Sequence, residues 1–128
     1  MDFLDQLVKR IRKLELPIAT FAGVLNEHES AGVYAMPGGQ VVHEYMDGMK
    51  EQQLNYEYAI KSKDVESASG QLWLVSNFLE SLTELTSAND SYEFEEIKIT
   101  SKPAQSEADE QGFYYWVLDF SAQLITNK

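Results

Sequence analysis

The chain has no cysteine, and this absence excludes several kinds of chemistry at once. Without thiols there can be no disulfide framework, no thiolate nucleophile and no cysteine-ligated zinc site. Long apolar runs are also missing, since no stretch reaches the roughly 18 consecutive apolar residues of a membrane-spanning helix, so no membrane partner is expected. At 128 residues and 44% hydrophobic content, the sequence predicts a single domain over residues 1–128 with an ordinary packed core.

Basic residues are scarce and unevenly placed. The chain has 10 Lys and Arg against 21 Asp and Glu, for a formal net charge of −11. Residues 1–13 carry four basic and two acidic residues, so nearly all of the negative charge lies in the rest of the chain. An acidic body argues against specific binding of nucleic acid, which needs a basic surface. It favours solubility, or a surface that does not retain duplex DNA passing nearby.

Catalytic and metal-binding patterns are largely absent. His28-Glu29 begins like a zinc-protease motif, but position 32 is glycine where the second histidine would stand. A metal site built from His28, His43 and Asp47 is an alternative, although two partly exposed histidines are the simpler interpretation. There is no nucleophile elbow and no phosphate-binding loop. We therefore expect no catalytic residue, no metal and no cofactor, and a small enzyme or ligand-binding protein is the least favoured reading.

The N-terminal region, residues 1–16, has the pattern of an amphipathic helix. Apolar residues recur at helical spacing between acidic residues at the start and basic residues in the last turns, as the helix dipole favours. Pro17 is expected to end this helix. The pattern is typical of a helix that packs on a sheet.

Residues 54–85 change period once, from strand to helix. Leu54, Tyr56, Tyr58 and Ile60 alternate with polar residues, and the apolar spacing then becomes helical. Asp64 is placed to cap a helix over residues 64–85. Gly70 lies inside that helix, where glycine costs about 1 kcal/mol relative to alanine, so a close backbone approach is expected there.

Further strands are predicted on both sides of this unit, over residues 18–25, 31–36, 41–46, 92–101 and 113–126. Pro37-Gly38-Gly39 is expected to form a turn between the second and third of these. Asp47-Gly48 predicts a hairpin that joins residues 41–46 to residues 49–61. A shift in the alternation predicts a β-bulge at Glu95-Glu96. The fold class is therefore α+β: one mostly antiparallel sheet over residues 17–126, packed by two helices in a two-layer arrangement.

A set of short motifs resembles one family of phage proteins. The motifs are Gly38-Gly39-Gln40-Val41-Val42, Tyr45-Met46-Asp47-Gly48, residues 56–60, Lys61-Ser62-Lys63-Asp64, Ser76-Asn77-Phe78-Leu79-Glu80, Ser91-Tyr92-Glu93-Phe94 and residues 109–115. They resemble the minor capsid protein family of siphophages and prophages, which is similar to the tail terminator (head-tail joining) proteins of long-tailed phages. The resemblance covers roughly residues 18–126.

The resemblance implies a structural virion protein with the two-layer α+β fold of tail terminators. It implies a ring, expected to be a hexamer, that caps the tail tube, joins it to head connector proteins and lets duplex DNA pass without specific binding. It also implies a location in the neck or tail of the virion, after assembly in the host cytoplasm. The alternatives are a head-side connector or minor capsid component, and a generic soluble protein-interaction module.

Candidate assembly surfaces can be named within this reading. The aromatic residues lack interleaved Lys and Arg, which favours core or interface positions over stacking of single-stranded bases. Hairpin residues 41–61 and the long strand 113–126 are candidates for sheet contacts between subunits. The candidate contact residues are Tyr45, Tyr56, Tyr114, Trp116 and Phe120. In the polar loop 102–111, Glu107, Asp109 and Glu110 are candidates for a surface that faces the ring channel.

Overall fold

The computed structural model describes residues 2–23, 29–88, 91–105 and 112–126. Its elements, in chain order, are helix α1 (Phe3–Arg12), strands β1 (Thr20–Ala22), β2 (Ser30–Glu44) and β3 (Lys50–Ser62), helix α2 (Val65–Ser81), and strands β4 (Tyr92–Gln105) and β5 (Tyr114–Thr126). The order of helices and strands along the chain follows the sequence prediction, except that the predicted strands 31–36 and 41–46 form one strand, β2.

The strands form one five-stranded sheet in the order β1-β2-β3-β5-β4. β1 runs parallel to β2, and all other neighbours are antiparallel. Both helices pack on the same face of the sheet, so the predicted two-layer α+β fold is confirmed. Among the described residues, no helix lies on the opposite face.

The hydrophobic core lies between the two helices and the sheet. Alternate residues of β3 and β5 face the helices, and Tyr58, Leu118 and Leu124 are fully buried there. Helix α1 contributes Phe3, Leu7 and Ile11 at helical spacing, and helix α2 contributes four further apolar residues: Ala68, Leu72, Val75 and Leu79. The change of period at residues 60–64 therefore marks the crossing from sheet to helix layer.

Two predicted local motifs are present. Asp64 caps α2, since its carboxylate accepts a hydrogen bond of 3.1 Å from the backbone N–H of Ser67. The Asp47-Gly48 hairpin closes through a 2.8 Å bond from the N–H of Tyr45 to the carbonyl of Met49. Gly48 has a φ of 89°, a conformation that favours glycine.

The expected turn at Pro37-Gly38-Gly39 is wrong. β2 runs as one strand through these residues, with shifts of register between Met36 and Gln40 and between Val41 and His43. β1 pairs only with Ala31–Val33, so this part of β2 is a sheet edge. An edge strand tolerates Pro37 and also Gly38, whose φ is 99°. The proline and the glycine therefore mark an irregular edge strand and not a turn that reverses the chain.

The second half of the sheet confirms one prediction and corrects others. The register shifts between Phe94 and Glu96, as the predicted bulge requires. However, β4 continues to Gln105 and does not end at residue 101. Helix α2 ends at Ser81, short of residue 85. Of the predicted strand 18–25, the structure describes residues 18–23, and among these residues 20–22 pair in the sheet.

Asp2 fastens the start of α1 to the segment before β4. Its carboxylate accepts hydrogen bonds from the hydroxyls of Ser87 (2.6 Å) and Ser91 (3.0 Å) and from the N–H of Ala88 (2.8 Å). These bonds, with the one from Ser87 first, hold the pKa of Asp2 well below its ordinary value. The predicted helix-start residue therefore binds a distant loop and makes no side-chain cap of its own helix.

Gly70→Ala is expected to stabilise the isolated chain by about 0.5–1 kcal/mol. The reason is that Gly70 lies in the interior of α2, is exposed, and has no heavy atom within 4 Å of the position of an added Cβ. Urea unfolding of both chains measures the difference. Gly38→Ala is the matched control and is expected to destabilise, because the φ of Gly38 is positive. A loss of stability in Gly70→Ala would contradict the open space at this position.

Candidate assembly surfaces

The structure separates the five predicted contact residues into two groups. Tyr56, Trp116 and Phe120 lie in the core between helices and sheet, and the rings of Tyr56 and Phe120 stack 5.7 Å apart. Tyr114 is half-buried at the start of β5, and Tyr45 is 38% exposed at the hairpin. Contact with a neighbouring subunit stays a prediction for all five. Tyr45 and Tyr114 are the better candidates because their side chains are less buried than the other three.

Strand β5 cannot add a neighbouring strand, although its length suggested such a role. It pairs with β3 along its whole length, from Tyr114 to Thr126, and with β4 on its other side. The strand is long because it crosses the centre of the sheet. The predicted sheet contact through residues 113–126 therefore has no free backbone edge.

The hairpin formed by β2 and β3 does have a free edge. β1 covers β2 only at Ala31–Val33, so no described strand pairs with the outer side of residues 34–44. Large apolar side chains are exposed here, with Val41 and Val42 each 50% exposed and Met46 fully exposed. An edge of this kind, with unpaired backbone and apolar side chains, is suited to strand addition by a partner.

The face of the sheet opposite the helices carries a row of acids that the sequence motifs did not single out. Glu57 and Asp119 lie directly opposite each other on β3 and β5, and Tyr34 of β2 donates a hydrogen bond to Glu57. Burial, then a hydrogen bond with Asp119, raises the pKa of Glu57 above its ordinary value. The sequence does contain a signal for this pair, because Glu57 and Asp119 each occupy a polar position in a strand whose polar and apolar residues alternate.

A second acidic group lies at the hairpin end of the same face. It consists of Glu51, Glu93, Glu95 and Glu96. Burial and a hydrogen bond with Glu51 raise the pKa of Glu95 above its ordinary value, and the neighbouring carboxylates add to this. A basic residue, Lys98, lies beside this group, with its ammonium 3.4 Å from the carboxylate of Glu96. This end of the face therefore has a negative potential.

Other predicted positions have a simple outcome. Glu107, Asp109 and Glu110 lie outside the described residues, as does His28. His43 contacts the ring of Tyr45, with the two centroids 4.6 Å apart. Across the four described ranges, no three His, Asp or Glu side chains are grouped so that they could hold a metal ion. No helix of the described chain is long and apolar enough to cross a membrane.

Glu57→Gln is expected to make the chain more stable than wild type at pH 7 and similar to it near pH 4. The folded-state pKa of Glu57 is raised, so its contribution to stability is full below the unfolded pKa and is lost as pH rises through the folded pKa. Glutamine removes this ionisation and can still accept from Tyr34 and donate to Asp119. Thermal unfolding over this pH range measures the effect.

The control for this prediction is Glu44→Gln, which removes an exposed carboxylate of β2. It should leave the pH dependence of the melting temperature as in wild type. A wild-type chain that is more stable than Glu57→Gln throughout the pH range would contradict the raised pKa of Glu57 in the folded state.

The comparison with known families favours one of the readings that the sequence left open. The family model of the bacteriophage tail terminator protein matches residues 7–126, which include all five strands, the whole of α2 and residues 7–12 of α1. The chain belongs to this family. The resemblance inferred from the motifs is thereby confirmed, and the terminator family is one of structural phage proteins and not of enzymes. A search of the curated proteins finds no match.

Proposed function

We propose that this tail terminator protein assembles as a ring, expected to be a hexamer, on the end of the tail tube and joins the tube to the head. The observation that carries the proposal is the family match over residues 7–126, which spans almost the whole described domain. The partners would be further copies of the chain, the tail tube protein and head connector proteins. The protein would lie in the neck of the virion after assembly in the host cytoplasm.

The free edge of the hairpin supports a role in assembly. Along one side of residues 34–44 of β2, no described strand pairs with the backbone, and the side chains of Val41, Val42 and Tyr45 are exposed there. Strand addition to such an edge gives affinity through backbone hydrogen bonds and specificity through the flanking side chains. We propose this edge as a contact with a neighbouring subunit or with the tube.

The acidic sheet face supports passage of DNA without binding. Glu57, Asp119 and the acidic group Glu51, Glu93, Glu95 and Glu96 give this face a negative potential that repels phosphates. We propose that it lines the channel, together with Glu107, Asp109 and Glu110 of the loop. Charge reversal of Glu93 and Glu96 to lysine should then retard DNA ejection from assembled phage, and unchanged ejection would remove this part of the proposal.

The direct test of the proposed function uses tail tubes made from the tube protein of the same genome. The purified chain is mixed with these tubes and imaged by negative stain, and a ring at one end of each tube is the expected result. Uncapped tubes together with binding to head connectors would favour the head-side alternative. Failure to bind head or tail components would favour a generic interaction module.

A further inference from the structure

The outward surface of α2 is apolar where solvent-exposed helices are usually polar. Trp73 and Leu74 are each 48% exposed, and both point away from the core. Gly70, one turn earlier, and Asn77, one turn later, lie between them on the helix surface. We call Gly70, Trp73, Leu74 and Asn77 the outer surface of α2.

Gly70 is the position at which a neighbouring chain can approach α2 most closely. The sequence predicts a close backbone approach at this glycine, yet no heavy atom of the described chain lies within 4 Å of the position of its missing Cβ. A glycine flanked by two large apolar side chains forms a shallow recess on a helix. Such a recess is suited to close packing against another surface.

The chain also carries a groove of complementary charge. It lies between α1 and the segment that follows α2 and has a volume of about 610 Å³. Its charged lining residues are four basic ones, Lys9, Arg10, Arg12 and Lys13, and one acidic one, Glu84. At its α1 side the Arg12 guanidinium lies 5.2 Å from the ring centroid of Phe21, which is itself 52% exposed. We call this the α1 groove.

The charges on and near α2 favour the α1 groove of another copy, and not the α2 helix of another copy, as the partner of the outer surface of α2. Residues 64–81 contain Asp64, Glu66 and Glu80 and no Lys, Arg or His, so two outer surfaces facing each other would bring like charges together. The α1 groove holds four of the chain's basic side chains. Opposite charge therefore favours contact between the acidic helix of one copy and the groove of another, whose lining has four basic residues and one acidic residue.

The two surfaces do not overlap on one copy. Gly70 lies about 17 Å along the helix axis from the end of α2 at Ser81, and the groove begins beyond that end, at Glu84. Each copy can therefore offer both surfaces at the same time. This is the condition for a heterologous contact, which continues from copy to copy until the rotation closes a ring.

We propose that neighbouring subunits contact head to tail, with the outer surface of α2 of one copy seated in the α1 groove of the next. The proposal rests on the proposed ring and names its subunit contact. The partner is a second copy of this chain. Its recognition depends on close packing at the apolar recess around Gly70 and on the opposite charges of the two surfaces. Because the contact is head to tail, each subunit is rotated relative to its neighbour in the same sense around the ring. The free edge of β2 takes no part in this contact.

The absence of cysteine makes this contact testable by disulfide trapping, which detects weak association. One variant carries Gly70→Cys and a second carries Lys13→Cys, both at exposed positions. The two are mixed under mild oxidation, with and without tail tubes, and separated on a non-reducing gel. Circular dichroism and a melting curve for each variant establish that it is folded. Thr100→Cys, at an exposed position of β4, replaces either partner in the matched controls.

A disulfide-linked heterodimer of the Gly70→Cys and Lys13→Cys chains, at least about tenfold above the Thr100→Cys controls, is the expected result. Homodimers of the Gly70→Cys chain alone would overturn the proposal, because they indicate that two α2 helices face each other. Linkage no higher than in the controls, both in solution and on tubes, would overturn it as well.

The outcome is distinct from that of the proposed function. Capped tubes without the specific linkage would leave the terminator role intact and reject this contact. The specific linkage with uncapped tubes would support the contact and reject the terminator role.

Discussion

Phe3→Ala is expected to lower the free energy of unfolding by about 3–5 kcal/mol, the range for truncating a fully buried phenylalanine. Phe3 is fully buried, and its ring contacts residues of β3 and β4. Its ring centroid lies 5.4 Å from that of Tyr56, 5.5 Å from that of Tyr92 and 6.5 Å from that of Phe94. Removing the ring leaves a cavity bounded by two strands, since Tyr56 belongs to β3, and Tyr92 and Phe94 belong to β4. Guanidinium unfolding measures the difference.

Phe21→Ala is the matched control for this prediction. Phe21 is 52% exposed on the short strand β1, so the same truncation should cost less than about 1 kcal/mol. Equal effects of the two substitutions would contradict the docking of α1 on the sheet through Phe3.

Gln71→Ala is expected to destabilise the chain by about 2–4 kcal/mol. Its side-chain amide accepts from the N–H of Ile18 (3.0 Å) and donates to the carbonyl of Ile18 (2.8 Å) and to the hydroxyl of Tyr58 (3.0 Å). The Tyr58 hydroxyl also lies 2.8 Å from the hydroxyl of Thr20. All of these groups are buried, and a buried polar group that loses its partner costs about 1–3 kcal/mol.

The physical role of Gln71 is to join α2, the segment before β1, and β3 in one network. Asn77→Ala is the control, since it truncates an exposed amide on the same helix and should change the unfolding free energy by less than about 0.5 kcal/mol. If Gln71→Ala unfolded at the same denaturant concentration as Asn77→Ala, the network would contribute nothing to stability.

Much of the fold follows from local rules that the sequence displays. The alternation at Tyr56, Tyr58 and Ile60 comes from burial on one side of a sheet, and it predicts β3 correctly. The cap at Asp64, the hairpin at Asp47-Gly48 and the bulge at Glu95-Glu96 each need only a few neighbouring residues to specify them. Their physical causes are short-range, so they can be predicted from sequence.

The errors lie where the outcome depends on distant strands. The sequence predicts a turn at Pro37-Gly38-Gly39 because it does not show that β1 leaves this part of β2 uncovered. Only an uncovered edge tolerates proline and an irregular register. Strand order is also non-local, so the central position of β5 could not be predicted. That position leaves β5 no free edge for a neighbour.

The candidate contact residues show the same limit. An aromatic residue at an alternating strand position has the same pattern whether its face meets a helix of the same chain or a second subunit. Tyr56, Trp116 and Phe120 proved to face the helices, whereas Tyr45 lies at the hairpin. The outer surface of α2 was missed because Trp73 and Leu74 stand next to core residues in a helix that is apolar on several sides.

The most direct test of the central claim follows the length of growing tail tubes over time. Purified chain is added while tubes polymerise from the tube protein of the same genome, and lengths are measured by electron microscopy at successive times. The proposed terminator role predicts that growth stops within the first interval and that the length distribution then stays constant. Tubes that continue to lengthen at the rate of the untreated sample would contradict it.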